Sequence, residues 1–181
     1  YRAVTQAIFV DLFKRGDIIE DLRPNIYDPV EGTTIADAEV ERLQRKTQLI
    51  DIKWSTATGE ELIISTTRPE LICACGVVVV HPDDTRYAHL VGQKAILPVA
   101  VEGRSTEVEI LTHPSVKSEF GSGILMVCSF GDQNDVAVFR DMGLTPFQAI
   151  DLDGCMTSIA GPLSGLKVKD ARETVIAQLE A

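Results

Sequence analysis

Residues 118–141, SEFGSGILMVCSFGDQNDVAVFRD, read as a glycine turn, a buried strand, a second glycine turn and a helix opened by acids. Gly121 and Gly123 flank Ser122 and allow a tight turn that a ligand could approach closely. Residues 124–128, ILMVC, form an apolar run too short for a helix and bounded by turn residues, so a buried strand is predicted. After Gly131, Asp132 stands at a helix N-cap position with Asp135 three residues on. Val136, Phe139 and Met142 supply an apolar stripe, and Gly143 is placed to end the helix. Two carboxylates thus fall in or next to a helix's first turn, beside a strand end and a glycine loop. The helix dipole favours an anion there, so the Asp135 carboxylate is expected to stay ionised, and an ionised acid in a pocket can hold a cation or orient a water. Capping alone would also account for both acids.

The remaining chain surrounds this corner with short strands. Val4, Ile8 and Leu12 recur every four residues ahead of Gly16, which predicts a helix over 2–15. Residues 21–43 carry two prolines and a Gly-Thr turn and read as a loop or ribbon. This first quarter has too little apolar face to fold alone, so residues 1–46 are assigned as an arm and 47–181 as the folded domain. From residue 47, LIDIKW and ELIISTT form a hairpin around ATGEE, followed by TTRPEL as a polar break. CGVVVV is a strand buried on both faces. HPDDTRYAHLVG is a loop with one helical turn, KAILPV and EVEILT are strands, and FQAIDLDG is a strand ending in a turn at Asp153-Gly154. Asp170 and Glu173 predict an acid capping box for a last helix that buries Val175 and Leu179. The fold class is therefore α+β: a barrel-like, mostly antiparallel sheet with peripheral helices.

Composition limits the function. The formal net charge of −10 argues against broad phosphate-backbone binding, which needs clustered Lys and Arg, although one nucleotide could still be gripped. No apolar run approaches the ~20 residues of a membrane span, and no basic region followed by an apolar core marks a signal peptide. The chain starts at Tyr1 without an initiator Met, which suggests a piece of a longer protein. The four cysteines, at 73, 75, 128 and 155, lie in or beside apolar stretches without a histidine cluster. They read as reduced core thiols of a cytoplasmic protein, with no metal site. The histidines at 81, 89 and 113 are scattered, and no Ser-His-Asp pairing is visible in the sequence.

TTRPEL at 66–71, HPDDTRYAHLVGQK at 81–94, EFGSGILMVCSFGDQNDV at 119–136 and GPLSGLKVKDAR at 161–172, with IADAEVE at 35–41, together resemble the editing domain of class I aminoacyl-tRNA synthetases, the connective polypeptide 1 domain. The resemblance is to the archaeal-type valyl-tRNA synthetase family and covers nearly the whole chain. It implies an insertion in a synthetase that hydrolyses threonine from mischarged valine tRNA. Such a site is needed because a pocket shaped for Val cannot strongly reject the isosteric Thr. By the resemblance, Asp135 is the essential acid that holds the substrate ammonium, and Asp132 supports the water or the ribose. Phe120 packs on the terminal adenine of the tRNA, Thr66, Thr67 and Arg68 line the pocket, and Gly121 and Gly123 lend backbone amides to the oxyanion. Many bacterial relatives carry Lys and Thr facing the substrate side chain where this chain has Met126 and Cys128; a thioether cannot donate a hydrogen bond and a thiol does so weakly.

The domain is expected to need no cofactor, with ATP and Mg serving the whole synthetase. Its partners are the 3′-terminal adenosine of tRNA and the rest of the synthetase chain, with no membrane. The arm at 24–33, PNIYDPVEGT, lacks the cysteines many relatives carry there, so no zinc is expected in it. Three alternatives remain open: the editing domain of an isoleucyl-tRNA synthetase, a free-standing deacylase, and a non-catalytic module that only docks a tRNA acceptor end.

Overall fold

Alternation of apolar and polar residues lays out the first hairpin. In a computed structural model, which describes residues 1–20, 24–41, 43–44 and 46–180, β3 (Ile50–Thr56) pairs antiparallel with β4 (Glu61–Thr66). Ile52, Trp54, Leu62 and Ile64 point to one core, while Lys53 and Glu61 form an ion pair of 2.6 Å on the outer face. β5 (Cys75–Val80), β6 (Lys94–Ile96), β7 (Glu107–Thr112) and β8 (Ile124–Cys128) complete a six-stranded sheet in the order β4-β3-β6-β7-β5-β8. Only β5 and β7 run parallel. The sheet curls until its edges β4 and β8 approach each other, giving a nearly closed barrel. The predicted α+β barrel is what forms.

β5 and β8 are buried on both faces, as the run CGVVVV required. Val78, Val80, Ile124, Met126 and Cys128 face the barrel interior. Val77, Val79 and Val127 face outward against α2 (Gln133–Asp141) through Val138 and Phe139. A bulge between Cys75 and Val77 shifts the register, so Cys75 shares the barrel core with Val78 and Val80 despite the odd spacing. The bulge is made by Gly76, and a Cβ there would lie 2.6 Å from Phe139 Cζ. Glycine is required at 76 because the Phe139 ring sits directly on the backbone.

α2 begins and ends as its sequence predicts. Asp132 Oδ1 accepts hydrogen bonds from the Asn134 and Asp135 amides at 2.7 and 3.0 Å. At the other end, Leu144 N–H bonds Phe139 O and Gly143 N–H bonds Arg140 O, which is the paired closure that a left-handed glycine after a helix permits. The reciprocal bond of a capping box is weak: the Asp135 carboxylate accepts the Cys128 amide at 3.4 Å and feels the Asp132 amide less.

Other expectations need correction. TTRPEL is not a polar break: Pro69–Ala74 is a buried 3-10 helix, possible because its acid, Glu70, is paired with two arginines. FQAIDLDG forms no strand. Its backbone bonds elsewhere, Phe147 N–H to Ser129 Oγ and Thr157 N–H to Ala149 O, and only the bridge Ile150–Met156 remains. The turn at Gly154 is present, closed by Asp151 Oδ1 on the Asp153 and Cys155 amides. α3 (Val168–Glu180) starts ahead of Asp170, which lies inside the first turn and is no cap, whereas Val175 is buried and Leu179 packs on the core. Cys155 is half-buried and outside the core that holds the other three cysteines. α1 (Arg2–Lys14) forms over the expected span with none of its residues buried. β1 (Tyr27–Asp28) and β2 (Thr33–Thr34) pair as the predicted ribbon; residues 21–23 and 42 of that stretch lie outside the described residues.

Gly76→Ala is expected to destabilise the chain by ~1–3 kcal/mol, the range for overpacking a tight core. In a Phe139→Leu background the same change should cost measurably less. Urea unfolding of the two singles and the double reads this; additive costs would mean that the ring and the bulge are not in contact.

Candidate functional site

The seam between β4 and β8 gathers most of the residues singled out from the sequence. Ser65, near the end of β4, touches the glycine loop: its Oγ accepts from Ser122 N–H at 3.2 Å and donates to Asp51 Oδ1 at 2.5 Å. Three residues on, Arg68 Nη1 donates to Gly131 O at 2.7 Å. The stretch 65–68 therefore runs along the whole of β8, from the loop before it to the turn after it. Thr66 is buried, and its Oγ1 accepts from Arg68 N–H at 3.0 Å. Thr67 is half-buried between them.

Asp135 sits at the C-terminal end of β8. Its Oδ2 receives the Cys128 amide at 3.4 Å and occupies the space a Cβ at Gly131 would take, so a side chain there would displace the carboxylate. Burial, then the nearby Asp132 carboxylate, push Asp135 up to about 7; the Cys128 amide and the Arg68 guanidinium pull it down, but less. The expectation of a firmly ionised acid is thus overturned. A first-turn dipole is worth about 0.3–1 kcal/mol, whereas one pH unit of pKa is about 1.4 kcal/mol, so burial beside a second carboxylate prevails. Asp132 itself is exposed and caps the helix.

The turn that carries Gly131 is shaped by Phe130, whose φ of 56° lies in the left-handed region. That conformation costs a residue with a Cβ roughly 1–2 kcal/mol, and the ring is retained there against Phe139 with centroids 6.1 Å apart.

The glycine loop and the acid stand at opposite ends of the strand. Gly121 and Gly123 precede β8 and Gly131 follows it, a separation of roughly 16 Å for five extended residues. Two of the loop's amides are engaged: Ser122 N–H bonds Ser65 Oγ, and Gly123 N–H bonds Phe120 O at 3.0 Å. Gly121 packs against the Ser65 side chain and Gly123 against Arg86. Phe120 is 57% exposed at the rim of a cavity of about 440 Å3 that His81, Lys117, Ser118 and Glu119 also line. It stands at the loop's end of the seam, not beside Asp135.

Met126 and Cys128 are only 6% and 2% exposed and belong to the barrel core. Cys128 lies opposite Cys75 across the ladder. Its thiol is pushed well up by contact with Cys75, by burial and by the Asp135 charge, and burial pushes Cys73 up to about 11. These thiols stay protonated and are no nucleophiles. Among the described residues no group of three His, Cys, Asp or Glu could hold a metal ion, and no helix is long and apolar enough to cross a membrane.

The sequence reading missed Glu70 and Arg172. Glu70 is 1% exposed. Its carboxylate takes Arg172 Nε at 2.9 Å, Arg172 Nη2 at 2.7 Å and Arg68 Nε at 3.3 Å. The alternation Arg-Pro-Glu could have signalled a pair between 68 and 70; a partner a hundred residues away could not be read. A further grouping, Ser115 Oγ at 2.7 Å from His113 Nδ1 with His113 Nε2 at 3.8 Å from Asp141 Oδ2, contains the residue types of a hydrolytic triad. The Ser115 amide also bonds the same Nδ1, so the set is a turn closed by its own histidine.

No protein-family model matches the chain. It is 41% identical over 181 residues to valine–tRNA ligase of Aeropyrum pernix, covering 99% of the chain and 22% of that protein. With valine–tRNA ligase of Methanocaldococcus jannaschii the identity is 42% over 181 residues, covering 99% and 20%. With that of Rickettsia conorii it is 38% over 180 residues, covering 97% and 21%. The chain thus spans about a fifth of the length of these relatives. Its fold matches the crystal structure of GlLeuRS-CP1 with a TM-score of 0.56 at 13% identity, covering 74% of the chain and 95% of that structure.

The raised Asp135 gives a stability test. A carboxyl whose folded pKa exceeds its unfolded one, here about 7 against 3.8, binds its proton more tightly when folded. The stability this contributes is present below the unfolded value and is lost as pH rises through about 7. Asp135→Asn should therefore be more stable to unfolding than the parent at pH 8, by on the order of a few kcal/mol. The two should converge near pH 4, and a constant gap across that range would mean that Asp135 is not the buried acid.

Proposed function

We propose, from a chain that corresponds end to end with one segment of valine–tRNA ligases and folds like a CP1 domain, that this protein edits: it hydrolyses threonine from mischarged valine tRNA. The end-to-end match to valine–tRNA ligases carries this reading. In it, residues 1–46 link the domain 47–181 to a cytoplasmic synthetase core that uses ATP and Mg for aminoacylation. The rest of that longer chain supplies the tRNA grip which a net charge of −10 denies to this segment.

The working part is the Asp135 end of the seam. The ionised carboxylate binds the substrate's α-ammonium, and the incoming positive charge draws the acid's pKa down and holds it ionised. Arg68 uses Nε on Glu70 and Nη1 on Gly131 O. A guanidinium has five N–H donors, which leaves others for the ester carbonyl or the ribose. With the amides of Ser122 and Gly123 occupied, Arg68 is the better oxyanion donor. Thr66 and Thr67 offer hydroxyls to the threonyl side chain, where a thioether at Met126 donates no hydrogen bond and a thiol at Cys128 only a weak one. Phe120, a strand's length away, takes the adenine, so the aminoacyl nucleoside lies along the seam. Water attacks an ester already activated, with no covalent intermediate on the protein.

Asp135→Ala in the ligase that carries this segment should lower deacylation of Thr-tRNA(Val) by about 10²-fold or more and leave valylation unchanged. Gly131→Ala, which evicts the carboxylate from its niche, should act in the same direction. Deacylation by the parent should rise with pH through about 7, the value of the free acid. A seam that binds a non-hydrolysable threonyl-adenosine analogue while no ester is lost on prolonged incubation would make the segment a docking module.

A further inference from the structure

Glu70 poses a question the mechanism above does not answer: why bury a full carboxylate at the base of a site whose acid needs a positive neighbour. Its three hydrogen bonds come from two guanidinium groups. Arg172 grips it with Nε and Nη2, at 2.9 and 2.7 Å, from the first half of α3. Arg68 touches it with Nε alone at 3.3 Å and turns Nη1 to Gly131 O at 2.7 Å. The fork-to-carboxylate pair is the tighter one, so Arg172 takes up most of Glu70 and leaves Arg68 only lightly held. Two arginines on one acid amount to one unneutralised positive charge, and that charge sits on the arginine bonded to the carbonyl next to Asp135.

We propose that Glu70 and Arg172 are positioning residues that set the placement of Arg68 at the Asp135 end of the seam and how far its charge is offset there, so that α3 is a working part of the site. The proposal rests on the reading above only in taking Asp135 as the working acid. The groups that face Asp135 are Asp132 on its own helix, Arg68 from the segment after β4, and Cys128 on β8 with Cys75 behind it on β5. Glu70 and Arg172 reach it through Arg68.

Opposite changes at the two positions should then act with opposite sign. Glu70→Gln keeps the shape and removes the negative charge, which frees Arg68 toward Gly131 and Asp135. Arg172→Met leaves Glu70 to draw Arg68 back. The Asp135 carboxyl is followed directly by carbon-detected NMR titration of the 181-residue chain, a readout that needs no activity. Glu70→Gln should lower the Asp135 midpoint and Arg172→Met should raise it, each by about half a pH unit or more, with the double variant near the parent. Arg172→Lys, which keeps the charge but loses the fork, should fall between the parent and Arg172→Met, and it serves in place of Arg172→Met if that variant does not fold.

In an Arg68→Met background both shifts should shrink to less than half. Shifts of the same sign, no shifts, or shifts undiminished without Arg68 would overturn the proposal, the last because the charges would then act on Asp135 directly. If the titrations behave as expected while the ligase that carries the unaltered segment hydrolyses no Thr-tRNA, the relay stands and the editing reading fails. If hydrolysis is robust while the midpoint ignores both variants, the reverse holds.

Discussion

The contact of the Phe139 ring with the backbone of Gly76 is what the site is built upon. β5 and β8 have one face in the barrel core and the other under α2, and such strands leave nothing to adjust once both faces are packed. The bulge at Gly76 opens the hollow into which the ring descends. That ring anchors α2 at its C-terminal half, the Asp132 cap fixes the other end, and the first turn then holds Asp135 against the end of β8. An acid on a loop would drift; this one is placed by a helix that has no other seat.

Two carboxylates near the seam are withdrawn from water and are treated in opposite ways. Glu70 is enclosed but meets two guanidinium groups, with every contact a charge-assisted hydrogen bond. Asp135 accepts one amide at 3.4 Å, is served only weakly by the Arg68 charge and the Asp132 amide, and has a second carboxylate nearby. The first is a joint between distant parts of the chain, and breaking one side of such a pair leaves a buried charge behind. The second is left short of partners. A carboxylate poorly served by its own protein is suited to bind an ammonium from outside, since the ligand supplies what the fold withholds.

Much of this was legible in the residues. The alternation in LIDIKW and ELIISTT, the β-branched run at 75–80, the cap at Asp132 and the glycine at 143 each specify local geometry, because backbone and side-chain preferences act over a few residues. The ordered motifs also pointed to the segment of valine–tRNA ligases that the chain matches. The misreadings have a common cause. TTRPEL looked polar because Glu70 and Arg68 are charged, and charge predicts exposure only until a partner arrives from elsewhere in the chain. FQAIDLDG had the composition of a strand but met no free sheet edge. Met126 and Cys128 alternate correctly, yet alternation cannot tell the inside of a barrel from the lining of a pocket.

What the sequence determined by itself is local: which segments are strands, where α2 starts and stops, and which side chains could carry chemistry. What only the tertiary structure decided is electrostatic and long-range. The burial of Asp135, the hold of Ser65 on the Ser122 amide, the approach of Arg68 to Gly131 and the meeting of Arg172 with Glu70 all depend on contacts that the order of residues along the chain does not show. Burial and Coulomb energy depend on distance in space, and in the linear chain that distance does not yet exist.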